Sequence, residues 1–183
     1  MDLNKELKLL HTMEQVFATL IATSNKVQMA GDMYCEPLTE RQYMTLLAIL
    51  HLPEDETTFV NIANKLGTSK QNITQIINSL QKKDFVTIVP SPKDKRATNV
   101  RLSQAGLDTM VKCAKNVTAD YMADIFKDFT QQELDLLWKL LLKLYCFDGN
   151  KMDGYEENVQ IPNTFTAEEL YDVLERFVKR RRG

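Results

Sequence analysis

The stretch that decides the fold is TFVNIANKLGTSKQNITQIINSLQK, residues 58–82. Its apolar spacing predicts a short helix over residues 58–66 and a longer helix that begins at Thr68 or Ser69. Gly67 lies between them, at a turn position that calls for a residue free to adopt positive φ. Two helices joined this closely are typical of a helix-turn-helix. The same arrangement also occurs in domains that bind no nucleic acid, so the pair alone does not identify a function.

The second helix of the pair has one apolar and one polar face. Its apolar residues recur at three- and four-residue intervals and are predicted to be buried: Ile73, Ile76, Ile77 and Leu80. The rest of its surface is polar and hardly acidic: Lys70, Gln71, Thr74, Gln75, Asn78 and Lys82. Amide side chains can bond adenine N6 and N7 in a major groove, and lysine can contact phosphate or guanine. This pattern predicts a DNA recognition helix, with a merely polar helix surface as the alternative.

A basic hairpin is predicted directly after this helix. Residues 85–102, FVTIVPSPKDKRATNVRL, read as strand, loop and strand, because β-branched residues flank a polar loop that contains proline. Such a hairpin is a wing, and Lys95 or Arg96 at its tip would enter an adjacent minor groove. Asp94 is expected to hold Arg96 or a neighbouring backbone N–H and so to fix the direction of the cation. The candidate DNA contacts of the wing are Lys93, Asp94, Lys95 and Arg96.

The charge of the chain is unevenly distributed. The net charge is −2, yet between Asn61 and Arg101 eight basic residues accompany two acidic ones, so this segment carries +6 and the remainder −8. A locally basic segment favours DNA binding, because each neutralised phosphate releases counterions. A solvated charged surface is the alternative that charge alone leaves open.

An amphipathic helix precedes this region. It begins at about Leu3 and is predicted to end before residues 31–38, which have the composition of a loop. Thr39 and Gln42 form a capping box that starts the next helix, and Pro53 ends it.

Two further helices follow the wing. Ser103 is predicted to cap a helix of roughly 25 residues that runs to Phe129. Thr130 and Glu133 form a second capping box, which opens a helix that is apolar on several sides. This is more apolar surface than one neighbouring helix covers, so we predict a homodimer built from the first and last of these long helices.

The C-terminal part of the chain looks like an addition. Residues 148–163 are predicted to be a linker, and residues 164–183 an appended helix capped by Thr166. Its last residues are basic, Lys179 to Arg182. We expect a docked helix with a solvated end, and a second DNA contact is the alternative.

The composition is that of an ordered, helix-rich globular protein, with 44% hydrophobic and 26% charged residues. The sequence shows no secretory signal and no apolar run long enough for a membrane span, so we expect a cytoplasmic protein without a membrane partner. The three cysteines are Cys35, Cys113 and Cys146, of which the last two lie in apolar stretches and are expected in the core. They fit neither a disulfide framework nor a paired metal or redox motif, so we expect no metal and no cofactor.

Several stretches together resemble one known family. They are LTERQ at 38–42, the helix pair up to LQKK at 80–83, DKR at 94–96 and VRLSQAG at 100–106. The family that they resemble is MarR, the multiple-antibiotic-resistance regulators. The resemblance covers residues 1 to about 147 in helix order, and the wing motif with the following VRLSQAG is its most specific part.

The resemblance implies a mostly α fold, in which a winged helix-turn-helix lobe with a two-stranded β wing is joined to long N- and C-terminal helices that form a dimerisation lobe. The DNA-binding lobe would span about residues 39–106, and the dimerisation helices about 3–30 and 103–147. It further implies a homodimer that binds double-stranded DNA at a pseudo-palindromic operator and regulates transcription without catalysis. The dimer helices of such proteins often enclose a cleft for small, frequently phenolic effectors.

The resemblance also implies which residues contact DNA, and at three positions this chain differs from the usual family residue. The implied major-groove contacts are Ser69, Lys70, Gln71, Asn72, Thr74, Gln75 and Asn78. Asp94 and Arg96 look like the salt-bridge and minor-groove pair of the wing. Family members usually have glycine at Asp84, and often arginine at Gln75 and at Ile88. Aspartate tolerates the left-handed turn, whereas the loss of two cations implies weaker phosphate contacts or a different operator.

Three other functions are weighed against this one. A redox regulator would need a reactive thiolate at Cys35, whose pKa the neighbouring Asp32 and Glu36 would raise. An enzyme is disfavoured because His11 and His51 are isolated and no phosphate loop or nucleophile motif occurs. A winged helix that docks other proteins without specific DNA binding stays open as the closest rival.

Overall fold

The computed structural model describes residues 2–149 and 165–182, so most of the linker predicted at 148–163 lies outside the described residues. The described part forms eight α-helices and one two-stranded antiparallel sheet. Within it, no helix combines the length and the hydropathy that a membrane span needs. The elements are α1 (Leu3–Tyr34), α2 (Glu40–His51), α3 (Phe59–Lys65), α4 (Lys70–Lys82), β1 (Val86–Pro90), β2 (Thr98–Leu102), α5 (Gln104–Asn116), α6 (Met122–Ile125), α7 (Gln131–Tyr145) and α8 (Ala167–Arg182).

The helices α2 to α5 begin at the capping residues that the sequence predicts. Thr39 Oγ1 accepts a hydrogen bond from the Gln42 backbone N–H at 3.2 Å, and Gln42 Oε1 accepts one from the Thr39 N–H at 3.2 Å. The hydroxyl groups of Thr58, Ser69 and Ser103 cap α3, α4 and α5 in turn. Each cap satisfies a backbone N–H that has no partner within its helix.

The end of α1 differs from the prediction. The helix does not stop before residue 31 but continues to Tyr34. Gly31 is buried, and a Cβ built on it would lie 2.6 Å from Glu40 Cγ at the start of α2. This glycine therefore allows α1 and α2 to approach closely, and it does not end the helix.

The helical run after Ser103 is shorter than predicted. It consists of α5, a π-helical turn at Val117–Tyr121 and α6, and it ends at Ile125, so the extension to Phe129 is wrong. The apolar spacing continues past the true end, because the turn residues Phe126 and Phe129 are themselves apolar. Their rings pack edge to face with centroids 5.8 Å apart.

The core lies between α2, α3, α4, α5 and the sheet. Its fully buried side chains include Leu46, Ile62, Ile73, Ile77, Leu80, Val100 and Met110. Ile76, which the spacing also predicts to be buried, is only partly buried. Each buried aliphatic side chain contributes roughly 1.5–3 kcal/mol, so this packing holds α4 firmly against α2 and α3.

Two left-handed residues connect α4 to its neighbours. Gly67 has φ 60° in the turn before α4, as predicted. Asp84 has φ 59° in the turn after it, which confirms that aspartate adopts this conformation here. The chain then enters β1, whose Ile88 pairs with Val100 of β2.

The C-terminal helix α8 packs on the π-helical turn and on α6. Val173 is 3% exposed at this contact. Arg176 forms an ion pair with Asp120, and Arg180 forms one with Asp124. The helix is docked, as expected, and within its basic end Arg180 is paired with acidic residues, whereas Lys179 and Arg182 are exposed and have no ion pair among the described residues.

Candidate nucleic-acid interface

The exposed side of α4 carries four polar side chains that have no bonding partner among the described residues. They are Lys70, Gln71, Gln75 and Asn78, which we call the reading face. Within the described residues, none of the four makes a side-chain hydrogen bond or an ion pair. Gln71, Gln75 and Asn78 follow one another at four- and three-residue spacing and therefore lie on one side of the helix. Their amides are free to donate and to accept hydrogen bonds at base edges.

The other three predicted contacts of α4 are bound within the helix itself. Ser69 Oγ accepts from the Asn72 N–H at 3.2 Å, and Asn72 Nδ2 donates to Thr68 Oγ1 at 3.0 Å. The Thr74 hydroxyl donates to the Lys70 carbonyl at 2.8 Å. Ser69, Asn72 and Thr74 thus stabilise the first turns of α4, which supports the reading face without adding free groups to it.

A buried residue of α2 holds α4 in place. Gln42 is 7% exposed, and its Nε2 donates to Ser79 Oγ at 3.0 Å. Its Oε1 accepts from Lys83 Nζ at 3.2 Å, and the same lysine donates to the Pro37 carbonyl at 3.1 Å. The sequence identifies Gln42 only as a capping residue. The contact with α4 leaves no local signal, because it joins residues 37 positions apart.

The tip of the wing is organised by Asp94. Its Oδ1 accepts a hydrogen bond from the Arg96 backbone N–H at 2.9 Å. This is one of the two roles predicted for Asp94. The salt bridge to the Arg96 side chain that the resemblance implies is not among the ion pairs of the described residues. Lys95 and Arg96 are both exposed, so their charges are available to a polyanion.

The third cation of the wing is already paired. Lys93 Nζ lies 2.9 Å from Asp55 Oδ2 and 2.6 Å from Glu56 Oε1, in the turn between α2 and α3. Hydrogen bonds to these carboxylates raise the pKa of Lys93, and the bond from Lys93 lowers the pKa of Asp55. In the same way Arg101 lies 3.0 Å from Glu54. Two of the eight cations counted in the basic segment are therefore neutralised by acidic residues outside the wing.

Backbone contacts reinforce this attachment. The Asn99 side chain donates to the Glu54 carbonyl at 3.1 Å, and the Val100 N–H donates to the Thr57 carbonyl at 3.0 Å. Thr58 and Asn99 also form an antiparallel bridge. The acidic turn at Glu54–Glu56 therefore binds the base of the wing. The sequence marks this turn only as the end of α2.

The comparison with known proteins shows which family the DNA-binding lobe is similar to. Residues 37–97, from the loop before α2 to the end of the wing loop, match the model of the MarR family. Over this segment the chain is similar to the MarR family. It is 25% identical over 107 residues to the uncharacterized HTH-type transcriptional regulator YsmB of Bacillus subtilis, a match that covers 58% of this chain and 71% of YsmB.

Solved MarR-family structures confirm the fold class, which is mostly helical with a two-stranded wing. A MarR variant from E. coli, solved with operator DNA, matches 74% of this chain and 97% of its own with a TM-score of 0.64 and 24% identity. The organohalide sensing regulator RdhR, solved with 2,4-dichlorophenol, matches 73% of this chain and 79% of its own with a TM-score of 0.63 and 16% identity.

Neither Cys35 nor Cys113 has the setting of a redox sensor. Burial is the main cause that raises the pKa of Cys35 to about 12, followed by the nearby Cys113, Glu40 and Asp32. Cys113 is also buried, and its thiol donates to the Cys35 carbonyl at 2.8 Å. A thiol in this state is a poor nucleophile. Cys146 is only half-buried, so its predicted place in the core is wrong.

Proposed function

We propose that this chain is a MarR-family regulator, which controls transcription by binding a pseudo-palindromic DNA operator as a homodimer. The observation that carries the proposal is the reading face of α4, which has no internal partners within the described residues. An amide-rich face without acids is suited to base edges. The exposed cations Lys95 and Arg96 on the wing are suited to the neighbouring backbone or minor groove. The proposal assigns no catalysis to the chain.

The apolar surfaces of α1 and α7 support a second copy as the partner. α7 begins with the predicted Thr130–Glu133 capping box, and none of its residues is buried. Its exposed apolar residues are Leu136, Trp138, Leu140, Leu141 and Leu144. Those of α1 include Leu3, Leu7, Leu10, Met13, Phe17 and Ile21. Apolar surface of this extent marks an interface. We therefore assign dimerisation to these two helices and DNA binding to about residues 39–106.

Dimerisation sets the form of the operator. A two-fold axis between two copies would present two reading faces in opposite directions. Helix-turn-helix dimers then bind half-sites separated by about one turn of DNA, roughly 34–36 Å. An inverted repeat is the sequence with that symmetry, which is why we propose a pseudo-palindrome.

A small-molecule effector completes the proposal. An open cavity of about 660 Å³ lies where α1 ends, α2 begins and α5 passes. It is lined by Asp32, Glu36, Pro37, Leu38, Thr39 and Lys112. This volume suits a small organic molecule. Titration with 2,4-dichlorophenol should raise the melting temperature of the wild type if it binds there, and Lys112→Ala should reduce that rise.

The test of DNA binding uses fluorescence anisotropy with duplex from the region upstream of the protein's own gene. Gln71→Ala should weaken operator binding by about 1–3 kcal/mol and should barely change binding to random duplex. Gln81→Ala is the control, because it is an exposed glutamine in the last turn of the same helix, far along the axis from Gln71. If the wild type binds no duplex in a salt-sensitive manner, the proposal fails. A winged helix that docks other proteins then becomes the better hypothesis.

A further inference from the structure

The C-terminal end of α7 reaches the turn of the helix-turn-helix. Tyr145, the last residue of α7, donates its hydroxyl hydrogen bond to the Asn64 carbonyl at 3.0 Å. The same carbonyl accepts from the Gly67 N–H at 3.1 Å, the bond that closes the turn between α3 and α4. The tyrosine ring also packs on this turn, since a Cβ built on Gly67 would lie 3.5 Å from Tyr145 Cε2.

This contact is unusual for α7, because the helix is otherwise little covered by the rest of its own chain. None of its residues is fully buried, whereas Tyr145 is half-buried at the turn. Among the described residues, Tyr145 makes the only side-chain hydrogen bond between α7 and another helix or strand. The helix assigned to dimerisation thus ends with one anchored residue, and this anchor lies on the DNA-binding lobe.

The turn that Tyr145 contacts determines the direction of α4. Gly67 adopts φ 60°, and the Thr68 N–H donates to the Ala63 carbonyl at 3.0 Å. Ser69 then caps α4, so the turn leads into the reading face within a few residues. A displacement of the turn therefore changes the angle at which Lys70 and Gln71 face the DNA.

We infer that Tyr145 is a positioning residue that sets the orientation of α4 relative to the dimer axis. The inference rests on the proposed function, because it gives α7 a second task beyond dimerisation. In a dimer the two reading faces must match two half-sites at once. When the recognition helix is bonded to the dimerisation helix, the spacing between the two reading faces is fixed before binding. Without this bond the helix has to be ordered when the DNA binds, and this ordering lowers the affinity.

The experiment compares Tyr145→Phe and Tyr145→Ala with the wild type in the full chain. Operator affinity should fall about tenfold in the alanine variant and by less in the phenylalanine variant, which keeps the ring and loses the hydrogen bond. Binding to random duplex and the dimer dissociation constant should not change. Phe147→Ala is the matched control, because this neighbouring aromatic residue is 83% exposed.

A second measurement does not depend on DNA. Amide hydrogen exchange at residues 64–69 should be faster in both Tyr145 variants than in the wild type and the Phe147 variant, because the turn loses its anchor. Equal exchange in all four proteins, or equal operator affinity at an unchanged dimer constant, would overturn the inference alone. A wild type that binds no duplex would overturn the proposed function and this inference with it.

Discussion

Arg180 and Asp124 form a bidentate ion pair, with Nε–Oδ1 and Nη2–Oδ2 distances of 2.7 Å each. Tyr34, the last residue of α1, donates its hydroxyl hydrogen bond to the same carboxylate. Asp124 therefore joins three helices, α1, α6 and α8. The bond from Arg180, followed by that from Tyr34, lowers the pKa of Asp124 to about 2. The C-terminal helix thus belongs to the packing around the end of α1.

Docking of α8 should persist in mild acid and be lost in strong acid. A hydrogen bond from Lys115, followed by those from Thr166, also lowers the pKa of Glu169 on α8 to about 2. A carboxyl group whose pKa is lower in the folded than in the unfolded state stabilises the fold above its unfolded pKa, about 4. This stabilisation is lost as the pH falls through the folded pKa. Amide NMR shifts of α8, followed from about pH 6 to about pH 2, should therefore change mainly below pH 4.

Asp124→Asn provides the control for this titration. The variant lacks one of the carboxylates that hold α8, so α8 should be less firmly docked at neutral pH and its shifts should depend less on pH. Arg182→Ala should behave as the wild type, because Arg182 has no ion pair among the described residues. Identical curves for the wild type and the Asp124 variant would show that this ion pair does not hold the helix.

Gly31→Ala should destabilise the protein, although alanine is the better helix former by about 1 kcal/mol. The new Cβ would lie 2.6 Å from Glu40 Cγ and 3.0 Å from Glu40 Cβ, so α1 and α2 must move apart. Overpacking of this kind costs typically about 1–3 kcal/mol. Urea unfolding would measure it, and Glu40→Ala in the same background should restore part of the loss. A gain in stability in the single variant would contradict the close approach.

Arg96→Ala should lower the salt dependence of DNA binding, whereas Lys93→Ala should leave it nearly unchanged. The side chain of Arg96 is exposed and only its backbone N–H is held by Asp94, while Lys93 is paired with Asp55 and Glu56. Each phosphate contact contributes about 0.9 to the slope of log K against log salt. Affinities at several KCl concentrations give that slope. An equal decrease in both variants would mean that Lys93 leaves its acidic partners when DNA binds.

The sequence predicts the starts of the helices well, because capping is local. Thr39 and Gln42 lie three positions apart, and their reciprocal bonds follow from that spacing alone. The end of α1 could not be predicted in this way, because the role of Gly31 depends on Glu40 of the neighbouring helix. Likewise, nothing near Lys93 in the sequence indicates that the turn at Glu54–Glu56 neutralises it.

The reading face illustrates the same limit within one helix. Periodicity separates its polar side from the buried Ile73 and Ile77. It does not separate Gln71, which is free among the described residues, from Asn72 and Thr74, which bind within the first turns. Here a local signal was available, since Asn72 lies four positions after Thr68 and Thr74 four positions after Lys70.

The attachment of the wing to the acidic turn limits how far the hairpin can bend. With β2 joined to the helical lobe through Asn99 and Val100, and Lys93 joined to the same turn, both strands move with the lobe. Within the tip, the N–H groups of Arg96 and Ala97 both donate to Asp94, at 2.9 Å each, so the arc from Asp94 to Arg96 is a closed turn. A hairpin of this kind, binding DNA as proposed, would keep its backbone path, and the exposed side chains of Lys95 and Arg96 would adjust to differences in minor-groove width between operators.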